Sequence, residues 1–243
     1  FIRYSPNNMK NLRTESRRIG INNIWSMNRI ASSNTVESGQ SITVGAEYVK
    51  SKKYDEIINV EEEENDPLDL FELGLATVFR DITNENMPET STLGNKSSDL
   101  VGNIGYNPNE IFNFGYNFSL DNNLDVLKYN ELVTGLSVNN FITTFKYVEE
   151  NDDIGDGHYV QNNTSYNINE KSSISFSTRK NKKIDLTEFY DLVYEYKIDC
   201  LTAAIKYKKD FYVDNDIKPT EQLFFSLTIV PLGAYETANV IPK

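Results

Sequence analysis

The sequence predicts an all-β protein, an antiparallel up-and-down transmembrane β-barrel portion of about eleven strands that forms a fragment of a larger barrel. Three observations predict it. From Ser97 onward, and in two runs upstream, apolar and polar residues alternate with the period of a strand whose two faces differ. Turn signals recur about every thirty residues, the length of a two-strand hairpin. The chain is also polar yet aromatic: hydrophobic residues make up 39%, but Tyr numbers 15 and Phe 13, more buryable surface than a disordered chain carries. At 243 residues, a single all-β domain accounts for the whole length.

Residues 1–40 are poorly periodic and carry a basic cluster at Arg13, Arg17 and Arg18. They read as an irregular, plug-proximal loop segment with room for one strand. Residues 41–233 hold the barrel strands, and 234–243 form a C-terminal tail. The first strand face is Ile42, Val44, Ala46 and Tyr48; the second is Phe71, Leu73, Leu75, Thr77 and Phe79. Between them the acidic run Glu61–Glu64, continuing into Asn65-Asp66-Pro67, reads as an exposed connection. The clearest alternation follows, with Phe112, Phe114, Tyr116, Phe118 and Leu120 opposite Asn113, Gly115, Asn117 and Ser119. A helix would scatter the first five around its circumference.

The pattern recurs in Phe141, Thr143, Phe145 and Tyr147, then in Tyr190, Leu192, Tyr194 and Tyr196, with Asp191 and Glu195 on the other side. Leu201, Ala203, Ile205 and Tyr207 oppose Thr202, Lys206 and Lys208; Leu223, Phe225, Leu227 and Ile229 oppose Phe224, Ser226 and Thr228. Tight turns are predicted at Asn107-Pro108-Asn109, Val138-Asn139-Asn140, Asn169-Glu170-Lys171 and Asp199-Cys200. Longer polar connections, such as 151–157, 181–186 and 214–218, alternate with them. Short turns on one side and long loops on the other is the asymmetry of outer-membrane barrels. The acidic run falls on the short-turn side and fits that parity badly.

No run approaches about 18 consecutive apolar residues, so a spanning helix is excluded while spanning strands of about 9–11 residues remain open. In a bilayer every backbone group is paired only if such a sheet closes. The expected arrangement turns apolar side chains outward, places Tyr near the headgroups and leaves a polar, hydrated interior. The competing reading is a soluble β-sandwich or solenoid, which also alternates but buries its apolar face.

A net charge of -12 argues against a nucleic-acid partner, which demands clustered cations. No Gly-rich phosphate loop and no Gly-x-Ser-x-Gly elbow occurs, so no enzyme activity or cofactor is expected. His158 is the one histidine. It stands beside Asp152, Asp153 and Asp156, but without a second imidazole or thiol ligand the stretch reads as an exposed acidic loop and not a metal site. Cys200 is the single cysteine, either an inert buried thiol or, in an oxidising compartment, a thiol whose partner lies outside this chain. The start at Phe1, without an initiator Met or a leader, reads as that of a fragment.

Three stretches, in order, carry a family resemblance. Residues 26–48 place Asn28-Arg29 before a polar loop, then Glu37 and Gly39, then a strand. Residues 94–108 contain Ser97-Ser98-Asp99 at a strand entry. Residues 194–201 lead through Asp199-Cys200, followed by 218–227 and Leu232-Gly233. Together they resemble the C-terminal barrel region of the LptD family of lipopolysaccharide-assembly proteins. The resemblance implies a non-enzymatic outer-membrane barrel that inserts lipopolysaccharide into the outer leaflet through a lumen and a lateral seam. It also implies an LptE-like plug lipoprotein, an LptA-like periplasmic bridge reached through a missing N-terminal domain, and outer-membrane lipid around the wall.

It further implies disulfides from the cysteine-bearing turn to that N-terminal domain, which makes Cys200 the carried-over position; many members have two adjacent cysteines there, and here Leu201 follows. The seam strand carries over to the final run, with Pro219, Leu223, Phe225, Leu227, Ile229 and Pro231 as its candidate residues. The two prolines either loosen that strand or simply mark its ends. A general outer-membrane porin and a soluble carbohydrate-binding β module are the alternative functions.

Overall fold

The computed structural model describes residues 1–5, 18–30, 37–52, 68–85, 87–151, 157–211 and 219–240. They form one antiparallel up-and-down sheet of thirteen strands paired in chain order. The strands are β1 Ile2–Ser5, β2 Gly39–Lys52, β3 Leu68–Arg80, β4 Leu100–Tyr106, β5 Phe112–Leu120, β6 Leu127–Val138 and β7 Phe141–Glu150, followed by β8 His158–Asn169, β9 Ser172–Asn181, β10 Leu186–Ile198, β11 Leu201–Asp210, β12 Thr220–Ile229 and β13 Gly233–Glu236. Among the described residues the sheet is not closed.

The named alternating runs are β2, β3, β5, β7, β10, β11 and β12, the tight turns divide out β4, β6, β8 and β9 between them, and the total of thirteen exceeds the expected eleven or so. The two others, β1 and β13, have four residues each. The first lies within 1–40, where one strand was expected. The second crosses the expected boundary at 233 and 234: Pro231 cannot continue the ladder, the chain reverses, and Gly233 pairs with Ile229. The predicted turns are where the residues placed them. Asn139, at φ 50°, turns β6 into β7; Glu170-Lys171 joins β8 to β9, and Asp199-Cys200 joins β10 to β11. The opposite ends carry connections of mixed length, among them 81–99, 121–126 and 182–185, and the fifteen positions between Lys52 and Leu68 stand on the same end as the tight turns, against the expected parity. The acidic run Glu61–Glu64, the basic Arg13 and Arg17, and Asp152, Asp153 and Asp156 lie outside the described residues.

The chain divides into two compact units. One comprises Phe1–Asn109, Asn113–Leu132 and Val148–Gly157; the other comprises Glu110–Phe112, Val133–Tyr147 and His158–Lys243. In the first unit, the connecting segments fold back onto one face of the sheet. Ile19, Ile24, Ile30, Met87 and Leu93 pack against Ala76, Val78 and Val101 of β3 and β4. A short helix, α1 Ile21–Ile24, settles over Gly74, where an added Cβ would stand 2.3 Å from Asn103 Oδ1 and 2.9 Å from Ile21 Cγ2. Only glycine permits that approach. This face of the first unit is therefore packed under connecting segments, where a polar, hydrated face was expected. In the second unit Ala204 is the only buried apolar side chain among the described residues.

Candidate functional site

Over Ser41–Val44 of β2, successive side chains alternate between burial and exposure in the opposite sense to a soluble half-buried strand, and from Gly45 to Ser51 both sides are exposed. Thr43 is 2% exposed and Val44 55%. Ser41 is buried and Ile42 exposed. On β3 the same inversion holds: Leu73, Leu75 and Phe79 are exposed, while Ala76, Val78 and Arg80 are buried. Register carries the faces from strand to strand, because directly paired residues share a side. Tyr48 pairs with Leu73, Leu73 with Ile104, and Ile104 with Tyr116, which makes a continuous apolar row on the uncovered face. On the covered face, Gly45, Ala76, Val101 and Ser119 form the matching row. Small residues there admit the covering segments, and large ones stand on the other face.

The second unit repeats the division. Tyr166, Ile174, Tyr194, Ile205 and Phe225 are paired in sequence across β8 to β12, and all five are exposed. The alternate row is Asn163, Ser177, Asp191, Lys208 and Gln222. Polar groups on the apolar face satisfy one another: Asn162 Nδ2 donates to Thr143 Oγ1 at 3.0 Å, and Thr143 and Thr164 hydroxyls are 2.8 Å apart. Exposed Tyr106, Tyr166 and Tyr196 sit toward the short-turn ends of their strands, and exposed Tyr190 toward the other end of β10.

The covered face of the first unit holds a charge cluster. Arg3 and Arg80 flank Ser41 from the two neighbouring strands. Glu37, 0% exposed, lies among three guanidiniums: Arg80 Nη2 at 2.7 Å, Arg29 Nε at 3.2 Å and Arg3 Nη1 at 3.5 Å. Arg29 also donates to Ser41 Oγ at 2.6 Å and Thr43 Oγ1 at 3.3 Å. Arg3 reaches the Met27 carbonyl at 2.7 Å, and Arg80 the Ser38 carbonyl at 2.7 Å. The four side chains thus staple the segments around residues 27 and 37 to the sheet. Burial lowers the Arg29 pKa from its ordinary value; Glu37 opposes the shift, and Arg3 and Arg80 add to it.

Cys200 is exposed and free, which removes the buried-thiol reading. Its carbonyl accepts the Val230 N–H at 2.8 Å, so its turn is tied to the end of β12. Pro219 and Pro231 lie immediately outside the β12 ladder. Leu223, Phe225, Leu227 and Ile229 pair with Tyr207, Ile205, Ala203 and Leu201 of β11. On its other edge β12 pairs with β13 over Ser226–Ile229, so it is not the sheet's last strand. His158 opens β8, with Nε2 3.3 Å from the Tyr147 hydroxyl and its ring edge-on to that tyrosine. Among the described residues no group of His, Cys, Asp and Glu could hold a metal ion.

No protein-family model matches the chain, and no curated protein matches it. The arginine cluster was not singled out from the sequence, although Arg29 and Glu37 lie in a stretch that carries the family resemblance. Arg3 and Arg80 join them only through strand pairing.

Proposed function

We propose that this chain is the membrane wall of an outer-membrane barrel that delivers lipopolysaccharide to the outer leaflet. The observation that carries the reading is the inverted sheet: Ile42, Val44, Leu73, Leu75 and Phe79 are exposed while Ser41, Thr43 and Arg80 are buried. A water-soluble sandwich would bury the first set; a bilayer solvates it, and the apolar rows, self-satisfied polar groups and tyrosines near strand ends suit that solvent. The ordered resemblance of residues 26–48, 94–108 and 194–233 to the LptD family supplies the cargo.

In this reading the polar row from Asn163 to Gln222 faces the saccharide path, a plug lipoprotein and a periplasmic bridge complete the machine, and the seam lies beyond β13, which covers the β12 edge. The exposed thiol of Cys200, on a short turn, is available to a cysteine of a periplasmic domain. Photo-crosslinking tests the cargo. A benzophenone amino acid at Ser177 or Gln222, in cells making lipopolysaccharide, is expected to give an adduct carrying lipopolysaccharide. The same probe at Leu192 is expected to capture membrane phospholipid. A general porin would conduct ions and give no such adduct at Ser177 or Gln222; a soluble carbohydrate-binding module would remain monodisperse without detergent.

A further inference from the structure

Among the described residues, the cluster around Glu37 holds three cations and one anion. Glu37 raises the Arg29 pKa, against burial and against Arg3 and Arg80, which lower it. Arg3, Arg29 and Glu37 are each at most 6% exposed. Every guanidinium has some partner, yet Arg3 Nη1, Arg29 Nε and Arg80 Nε are each buried without a hydrogen bond. A buried cation that lacks a counter-charge is costly, by several kcal/mol after relaxation, so two surplus positive charges inside a folded wall call for an anion.

The place for one adjoins Arg80. A cleft of about 490 Å³ is lined by Arg80 together with Tyr4, Ser38, Gly39 and Asn84. Its polar walls are pre-organised: Asn84 Nδ2 donates to Ser38 Oγ at 2.9 Å, and Arg80 Nη1 donates to the Ser38 carbonyl at 2.7 Å. Gly39 keeps the space beside the guanidinium clear, since a Cβ there would lie 3.3 Å from Arg80 Nη1. Among the described residues lining the cleft the carboxylate is Asp81, which accepts the Ile82 N–H at 2.8 Å. Guanidinium matches phosphate in shape and charge better than any other side chain.

We infer that this cleft is a phosphate-binding site in which Arg80, backed by Arg3 and Arg29, neutralises the anion. The anion is a phosphate monoester, carried by a lipid headgroup or free in solution. The inference does not rest on lipopolysaccharide as cargo, because its argument is the charge imbalance alone.

The test is thermal unfolding of the whole chain folded in neutral detergent micelles, titrated with sodium phosphate against sodium chloride at matched ionic strength, and in parallel with phosphatidic acid in the micelles. A saturable rise in Tm of roughly 3–6 °C at ten times the dissociation constant is expected from mass action. Ser38→Asp, which builds a carboxylate into the cleft, is expected to start from a higher Tm and to lose the response. Arg80→Gln is expected to lose it as well. A response to free phosphate makes the soluble anion sufficient; a response to phosphatidic acid alone makes the headgroup the ligand. No saturable shift with either probe, or an equal shift in Ser38→Asp and the unsubstituted protein, overturns the site.

Discussion

Ile42 pairs directly with Phe79 across β2 and β3, and both side chains are exposed. The next pair along, Ser41 with Arg80, is buried. Here the arginine is dry and the phenylalanine uncovered, and the proposed membrane wall rests on that relationship.

Arginine introduced on the apolar face should be expensive in a bilayer and cheap in water. Leu192→Arg, at a position 44% exposed, is expected to destabilise the protein by about 2–4 kcal/mol if it lies near the bilayer midplane. Ser177→Arg, on the alternate face and paired with Asp191, is expected to change stability little. Equilibrium unfolding in phospholipid vesicles separates the two.

Removing the shared anion of the cluster should cost more than any surface pair. Glu37→Gln leaves three buried guanidiniums facing one another and is expected to lose about 3–5 kcal/mol. Breaking the Lys180 and Asp185 pair, which is largely exposed, is expected to leave the denaturation midpoint unchanged, because exposed pairs contribute little. Denaturant titration of the two variants side by side checks the contrast.

Gly74 admits α1, so Gly74→Val is expected to dislodge it. The new side chain would overlap Asn103 and Ile21, and overpacking of this kind costs about 1–3 kcal/mol. Fluorescence of Trp25, the single tryptophan, reports the displacement, since this residue packs against the same core.

The 121–126 turn should weaken in acid. Burial pushes the Asp121 carboxyl up, but the backbone N–H groups of Asp125 and Val126, at 3.0 and 3.2 Å, outweigh it and hold the pKa below its usual value. A carboxylate with a depressed folded-state pKa contributes stability above its unfolded pKa of about 3.9, and that contribution disappears as pH falls through the folded value. Amide exchange at Asp125 and Val126 is expected to accelerate over that window, and Asp121→Asn is expected to remove the pH dependence.

The strands were legible because a two-residue period survives in each of them independently. Tyr190, Leu192, Tyr194 and Tyr196 announce their face without reference to any neighbour, and Asn139 or Glu170-Lys171 announce the turns. Burial direction was not in the pattern itself: alternation alone is the same for a strand facing oil and one facing a protein core. The covering segments were illegible for a different reason. Ile19, Ile24, Ile30, Met87 and Leu93 each touch the core from an irregular segment, so no period marks them. The cluster of Arg3, Arg29, Glu37 and Arg80 spans 77 positions and exists only once β1, β2 and β3 are in register. A charged residue in line with Ala76 and Val78 was the available signal, and Arg80 is that residue.

The most direct test of the inverted sheet is a tryptophan scan along β10. Trp25→Phe supplies the background, single tryptophans are placed from 190 to 196, and quenching is measured in vesicles of brominated phospholipid. Strong quenching at 190, 192, 194 and 196, with weak quenching at 191, 193 and 195, is the predicted result. Quenching without alternation, or strongest at Asp191, Val193 and Glu195, would contradict the account.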